Sequence, residues 1–303
     1  MTDAALKENK KNKLIDFKCK RADSTGFSDE VIDRLNLKFP QSYNDGSIMA
    51  EISKAVKEEE KGRVCLLPFC HTVEAEAFGG LVNLNDGKFG PRTADYAYQS
   101  VEELLSLPDF DFSRGRISEV LKACRILKAQ GERVVLEVSG FFTILNSLID
   151  TAKIFKAWRK SPQTVEKICT IIAGNLKRYF VEAKKTGVDV ISYADPAGSV
   201  SIIGPKYTEV VAKNFTYPFV KEAADLVGED CIIHLCPKTS LILLGLGLAE
   251  KNDLQLARGI NYVEACLSTV GREKIIGQVC IKDSRCALLH GKIRALHLFE
   301  QYI

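Results

Sequence analysis

Net charge is nearly absent from this sequence: forty-two Lys and Arg against thirty-nine Asp and Glu leave +3 over 303 residues. That is too little for a polyanion-binding footprint, so nucleic acid is not an expected partner. A membrane-length apolar run is missing too. The uncharged apolar stretch Thr239–Ala249 carries two glycines and is well short of the roughly 20 residues a bilayer span needs. The first thirteen residues, MTDAALKENKKNK, lack the apolar core of a secretory signal. Ten cysteines in such a context read as reduced thiols in the cytoplasm rather than as a disulfide framework. No repeat and no Pro/Gly/Ser linker divides the chain. Neither G-x-G-x-x-G nor a P-loop lysine motif occurs, and Gly245-Leu246-Gly247 has Glu250 where a third glycine would fall. A doubly wound nucleotide-binding sheet therefore loses its usual signature.

What is present is a large apolar fraction, 46% hydrophobic with 27% charged, enough for a substantial core. From Arg63 onward, short β-branched or apolar runs alternate with helical periodicity, the pattern of a parallel sheet with crossover helices. Strands are expected at Val64–Phe69, Val134–Val138, Val188–Tyr193, Cys231–Leu235, Ile275–Ile281 and Ile293–Phe299. Helices are expected at Val101–Leu107, Ile117–Gln130, Thr164–Thr186, Tyr207–Leu226 and Gln255–Thr269. Gly131, Gly187 and Gly228 follow three of these helices, where a left-handed residue commonly ends one. Reactive residues cluster just after strands, as a barrel places its catalytic groups. The predicted class is α/β, a (β/α)8 TIM-type barrel over residues 48–303 with one abbreviated unit near the C-terminus. Residues 1–47 form a charged, helical N-terminal extension.

Three segments carry candidate chemistry. In His234-Leu235-Cys236, residues two apart on a strand point the same way, so an imidazole and a thiol can face one point. One His nitrogen, two Cys sulfurs and an open position would suit a catalytic zinc ion. The alternative is an ordinary core cysteine beside a satisfied histidine. Cys280 is the expected third ligand, with Cys286 as substitute. In Pro68–Gly80 a strand breaks into a helix start with Cys70, His71, Glu74 and Glu76. Its glutamates either stabilise a first helical turn or face the barrel mouth. In Ser192–Ser199, Asp195 stands at a strand end before Pro196, either capping a loop or serving as a site acid.

Taken together, P-F-C-H-T-V-E-A-E-A-F-G-G at 68–80, Asp195-Pro196 with I-G-P-K-Y-T-E at 203–209, and H-L-C at 234–236 resemble the uroporphyrinogen decarboxylase superfamily. Within it, the similarity is to the methylcobamide:coenzyme M methyltransferases. The arginine-rich R-Q-A-G-R-Y motif of true decarboxylases has no match here, which makes decarboxylation the weaker reading. The resemblance implies a zinc site at His234, Cys236 and Cys280, and a methyl group moved from a methylated corrinoid to a thiol such as coenzyme M. It also implies Asp195, Glu74 and Glu76 as catalytic groups, Tyr193, Ser199 and His71 as corrinoid contacts, and a separate corrinoid protein as partner. That protein would dock on the loops at Asp195–Ser199 and Gly79–Arg92. The alternatives are tetrahydrofolate as acceptor, a cofactor-free lyase with Asp195 as its acid, or a non-catalytic module that binds the corrinoid protein.

Overall fold

The alternation of buried side chains along short apolar segments assembles one central sheet. In the computed structural model, which describes residues 14–18, 26–283 and 285–300, its strands are β1 (Cys65–Leu67), β2 (Val134–Ser139), β3 (Val190–Ala194), β4 (Ile232–Leu235), β5 (Ala249–Gln255), β6 (Ile275–Ile276) and β7 (Lys292–Leu298). The spatial order is β1-β2-β3-β4-β6-β7-β5. The first five in that order pair in parallel, and β7 runs antiparallel to both β6 and β5.

Both faces are covered, as mostly parallel sheets require. One face, built from Cys65, Leu67, Leu136, Val138, Ile191, Tyr193, Ile233 and Leu235, packs against the long helices Gly115–Ala129, Pro162–Lys185 and Tyr217–Val227. The other presents Val135, Val190, Ile232, Ile276 and Ile293 to the helix Tyr262–Leu267 and to Ile281 and Leu288. In register, Glu137, Ser192 and His234 lie side by side on that second, inner face.

The α/β class and all six expected strands are present, but among the described residues the sheet does not close into a barrel. After β6 the chain returns as an antiparallel pair instead of another helix-connected unit, which leaves β1 and β5 as edges. The β1 edge is blunted by the helix Gly46–Glu59, whose Ser53 hydroxyl donates to the Leu66 carbonyl at 3.0 Å. The strand expected over Ile275–Ile281 stops at Ile276. There the Gln278 side chain replaces a backbone acceptor for the Arg294 N–H (2.9 Å), and the chain turns at Cys280.

The helix expected over Gln255–Thr269 is confined to Tyr262–Leu267. Gly259 has φ +73°, and the Asn261 side chain accepts from the Val263 N–H to start the helix only there. The helix expected at Tyr207–Leu226 is divided into Val200–Val211, a π-turn at Ala212–Thr216 and Tyr217–Val227, because Pro218 has no N–H to continue the ladder. Much of the N-terminal extension, including Cys19, lies outside the described residues. The described part packs Phe27, Phe39 and Tyr43 as an aromatic group against Phe69. No helix among the described residues is long and apolar enough to cross a membrane.

Candidate functional site

Four strand ends carry the expected residues, and the structure gathers them into three separate clusters. The first lies on the inner face. Glu137, a carboxylate within the apolar strand VVLEVS, is held between Lys282 Nζ at 2.6 Å and His71 Nε2 at 3.8 Å. Burial raises its pKa, but the Lys282 ammonium and His71 outweigh that and hold it below the usual carboxylate value. One strand further on, His234 is buried with both ring nitrogens engaged. The Val279 carbonyl, 2.9 Å from Nε2, can only accept, so Nε2 carries the proton. Nδ1 then accepts from the Ser192 hydroxyl at 3.0 Å. Burial pushes the His234 pKa down to about 4, so the ring is neutral near pH 7.

Cys236 extends the same edge as the N-cap of the helix Pro237–Gly245, its N–H donating to the Tyr193 carbonyl at 3.0 Å. Cys280 follows Val279 in the loop that crosses the inner face. Of the described cysteines, only Cys236, Cys280 and Cys286 are partly exposed, and the other six are buried thiols. Burial raises the thiols of Cys65 to about 11 and of Cys124, Cys169, Cys231 and Cys266 to about 12, which leaves those five as packing residues.

The second cluster is organised by Arg116, a buried guanidinium from the helix Gly115–Ala129. It donates to Glu76 Oε2 at 2.6 Å, Thr72 Oγ1 at 2.8 Å and Cys70 Sγ at 3.4 Å. Glu76 is thereby an ion-pair partner. Glu74 is fully buried. Its Oε1 accepts from the Ser139 N–H at 3.1 Å, its Oε2 has no partner among the described residues, and burial raises its pKa.

The third cluster is built on Asp195. Its Oδ1 accepts from the N–H and hydroxyl of Thr143 at 2.8 and 2.7 Å, and its Oδ2 accepts from the Phe142 N–H at 3.1 Å. It therefore caps the helix Phe141–Leu148 from a neighbouring strand. A Cβ on Gly140 would overlap the Asp195 side chain, and one on Gly198 would lie 2.7 Å from Oδ2. Glycine is required at both positions. Burial raises the Asp195 pKa against the pull of these donors.

Two residues read as corrinoid contacts sit elsewhere. Tyr193 is on the helix-facing side, opposite in parity to Ser192, and its hydroxyl accepts from the Phe141 N–H at 3.2 Å. Ser199 is buried, within 3.4 Å of Lys238 Nζ. Sequence reasoning passed over Arg116, Lys282 and Glu137. Only Glu137 left a signal, a charge inside an apolar strand.

The donor set does not fit zinc as folded. Zinc needs a nitrogen lone pair at about 2.0–2.1 Å, and the only lone pair on His234 is aimed at Ser192. Among the described residues, no three of His, Cys, Asp and Glu converge on one point. Beside this cluster, between β1 and the helix Gly46–Glu59, lies a cavity of about 170 Å³ lined by Ser53, Lys57, Leu66, Pro68, Ile281 and Lys282 among others.

A mostly parallel α/β sheet with its polar groups at the C-terminal strand ends defines the class, and comparison with known proteins gives the family. The model of the uroporphyrinogen decarboxylase (URO-D) family matches residues 25–262, and the chain belongs to that family. It is 24% identical over 268 residues to methylcobamide:CoM methyltransferase MtaA of Methanosarcina barkeri (strain Fusaro), covering 87% of this chain and 77% of the relative. It is 24% identical over 212 residues to methylcobamide:CoM methyltransferase MtbA of Methanosarcina mazei, covering 67% and 60%. A solved methyltransferase from Methanosarcina mazei aligns with TM-score 0.61 and 23% identity, over 74% of this chain and 66% of that one. The solved methyltransferase shows a shared fold.

Proposed function

We propose that the chain is a corrinoid-dependent methyltransferase that moves the methyl group of a methylated corrinoid to a small thiol. The observation that carries this reading is the similarity to methylcobamide:CoM methyltransferases along 87% of the chain. The surface is consistent with a large donor presented by a partner protein. The hairpin after the helix Val73–Ala77 exposes Leu81, Phe89 and Tyr96, and the helix after Asp195–Ser199 exposes Ile202.

The acceptor would bind at the inner-face cluster of His71, Glu137 and Lys282. His71, partly exposed and backed by Glu137, would take its thiol proton. The sulfur then forms a bond to the methyl carbon, and the electrons of the cobalt–carbon bond remain on cobalt. Buried Asp195 and Arg116 act through the backbone they fix, holding the loops at their strand ends. Zinc is not part of this proposal, because both ring nitrogens of His234 are already engaged. The six buried free thiols suit a reducing compartment such as the cytoplasm.

The test is to incubate the purified protein with methylcobalamin and a panel of thiols that includes coenzyme M, and to follow the cobalamin spectrum. Thiol-dependent loss of methylcobalamin is expected. Methylcobalamin left intact with every thiol and with tetrahydrofolate, together with decarboxylation of uroporphyrinogen, would overturn the proposal. Loss with tetrahydrofolate alone would replace the acceptor.

A further inference from the structure

The family match ends at Tyr262, yet two groups from the segment beyond it reach the centre of the sheet's inner face. The Val279 carbonyl accepts from His234 Nε2 at 2.9 Å, and three residues later Lys282 Nζ lies 2.6 Å from Glu137 Oε2. His234 and Glu137 stand two strands apart in one register row, with Ser192 between them. The apolar side chains of the same segment continue the dock, since Val279, Ile281, Cys286 and Leu288 pack with Ile232, Ile276 and Tyr262 in the inner core. The turn that carries Cys280 is closed by the Asp283 N–H on the Cys280 carbonyl at 2.9 Å.

A buried carboxylate needs a compensating cation, and a buried imidazole needs partners for both nitrogens. Here the C-terminal segment supplies the cation through Lys282 and the Nε2 partner through the Val279 carbonyl, while Ser192 on β3 serves Nδ1. From this we infer that Lys282 is a positioning residue that takes the place of a divalent cation. Its ammonium neutralises Glu137 and, with the Val279 carbonyl on His234, clamps the Cys280-bearing segment across the inner face, so that His234 is a structural anchor and not a metal ligand. This inference stands whether or not the chain transfers methyl groups, because neither readout below depends on that reaction.

The experiment uses the full-length protein, with zinc itself as the probe. Wild type, His234→Ala, Lys282→Met, Lys282→Arg and Glu137→Gln are equilibrated at a buffered free zinc concentration, and bound metal is measured by elemental analysis. Amide hydrogen exchange is followed over residues 277–283 in the same samples. Wild type should hold far less than one zinc per chain, with no difference from His234→Ala. Lys282→Met and Glu137→Gln should each speed exchange in that segment at least tenfold over wild type, and Lys282→Arg, which keeps a cation, should restore most of the protection. One zinc per chain in wild type that His234→Ala loses would overturn the inference. So would unchanged exchange in both charge-removing variants. A variant that fails to fold is replaced by Lys282→Gln, for which the same two outcomes decide.

Discussion

A neutral, doubly engaged His234 has a thermodynamic signature that an exposed imidazole lacks. In the unfolded chain a histidine takes up a proton near pH 6.5, while in the folded protein burial holds the pKa of His234 at about 4. The sign follows from which state binds the proton. Above pH 6.5 neither does, and the residue's contribution to stability is complete. As pH falls from 6.5 toward 4 only the unfolded chain is protonated, and stability is lost at about 1.4 kcal/mol per pH unit, or about 3 kcal/mol over the whole window. Asn at this position cannot titrate. The difference in unfolding free energy between wild type and His234→Asn, measured by urea denaturation at intervals from pH 7.5 to 4, should therefore shrink by about 3 kcal/mol. Carboxylates that titrate in both proteins largely cancel in that difference. A difference that stays flat across the window would refute the reasoning, and with it the assignment of both ring nitrogens to internal partners.

The other side chains separate by the same kind of argument. Asp195→Ala removes the cap of the helix Phe141–Leu148 and strands three buried donors, and should lower stability by about 3–5 kcal/mol, read as a fall in melting temperature. An unchanged melting temperature with lost turnover would make Asp195 a site acid after all. Glu74→Gln keeps an acceptor for the Ser139 N–H and removes a carboxyl that burial disfavours ionising. Glu74's contribution declines as pH rises through its elevated pKa, so the Gln variant should match wild type at pH 5 and gain on it toward pH 8 in the same denaturation assay. Glu74→Ala should lose about 2–4 kcal/mol at either pH.

Much of the fold was legible because burial writes itself into periodicity. Val134–Val138 and Cys231–Leu235 are sandwiched between two apolar layers and therefore read as continuous apolar runs. The strand Ala249–Gln255 was not legible. It lies at the sheet edge with a mostly exposed AEKNDLQ sequence, and its pairing partner β7 determines it more than its own composition does. The pairing of β5 with β7 is also what replaces barrel closure, and no local pattern announces a chain that turns back antiparallel.

At the site, His234 and Cys236 were correctly placed at a strand end, but spacing alone could not tell a ligand pair from a satisfied imidazole. That distinction rests on Ser192 and Val279, one on a neighbouring strand and one 45 residues downstream. Lys282 carries no local signal of its role, since only tertiary structure brings it onto Glu137. Asp195 was balanced between cap and acid, and the donors that engage it come from a helix with no sequence proximity to it.

The central claim is that a methyl group passes from cobalt to sulfur, and following the methyl carbon itself tests it most directly. The protein is given methylcobalamin labelled with ¹³C at the methyl group, together with coenzyme M and competing thiols, and the products are resolved by mass spectrometry. A labelled S-methyl thioether appearing in step with the loss of methylcobalamin, and only when the protein is present, is the predicted result. Label that stays on cobalamin with every thiol offered would contradict the account.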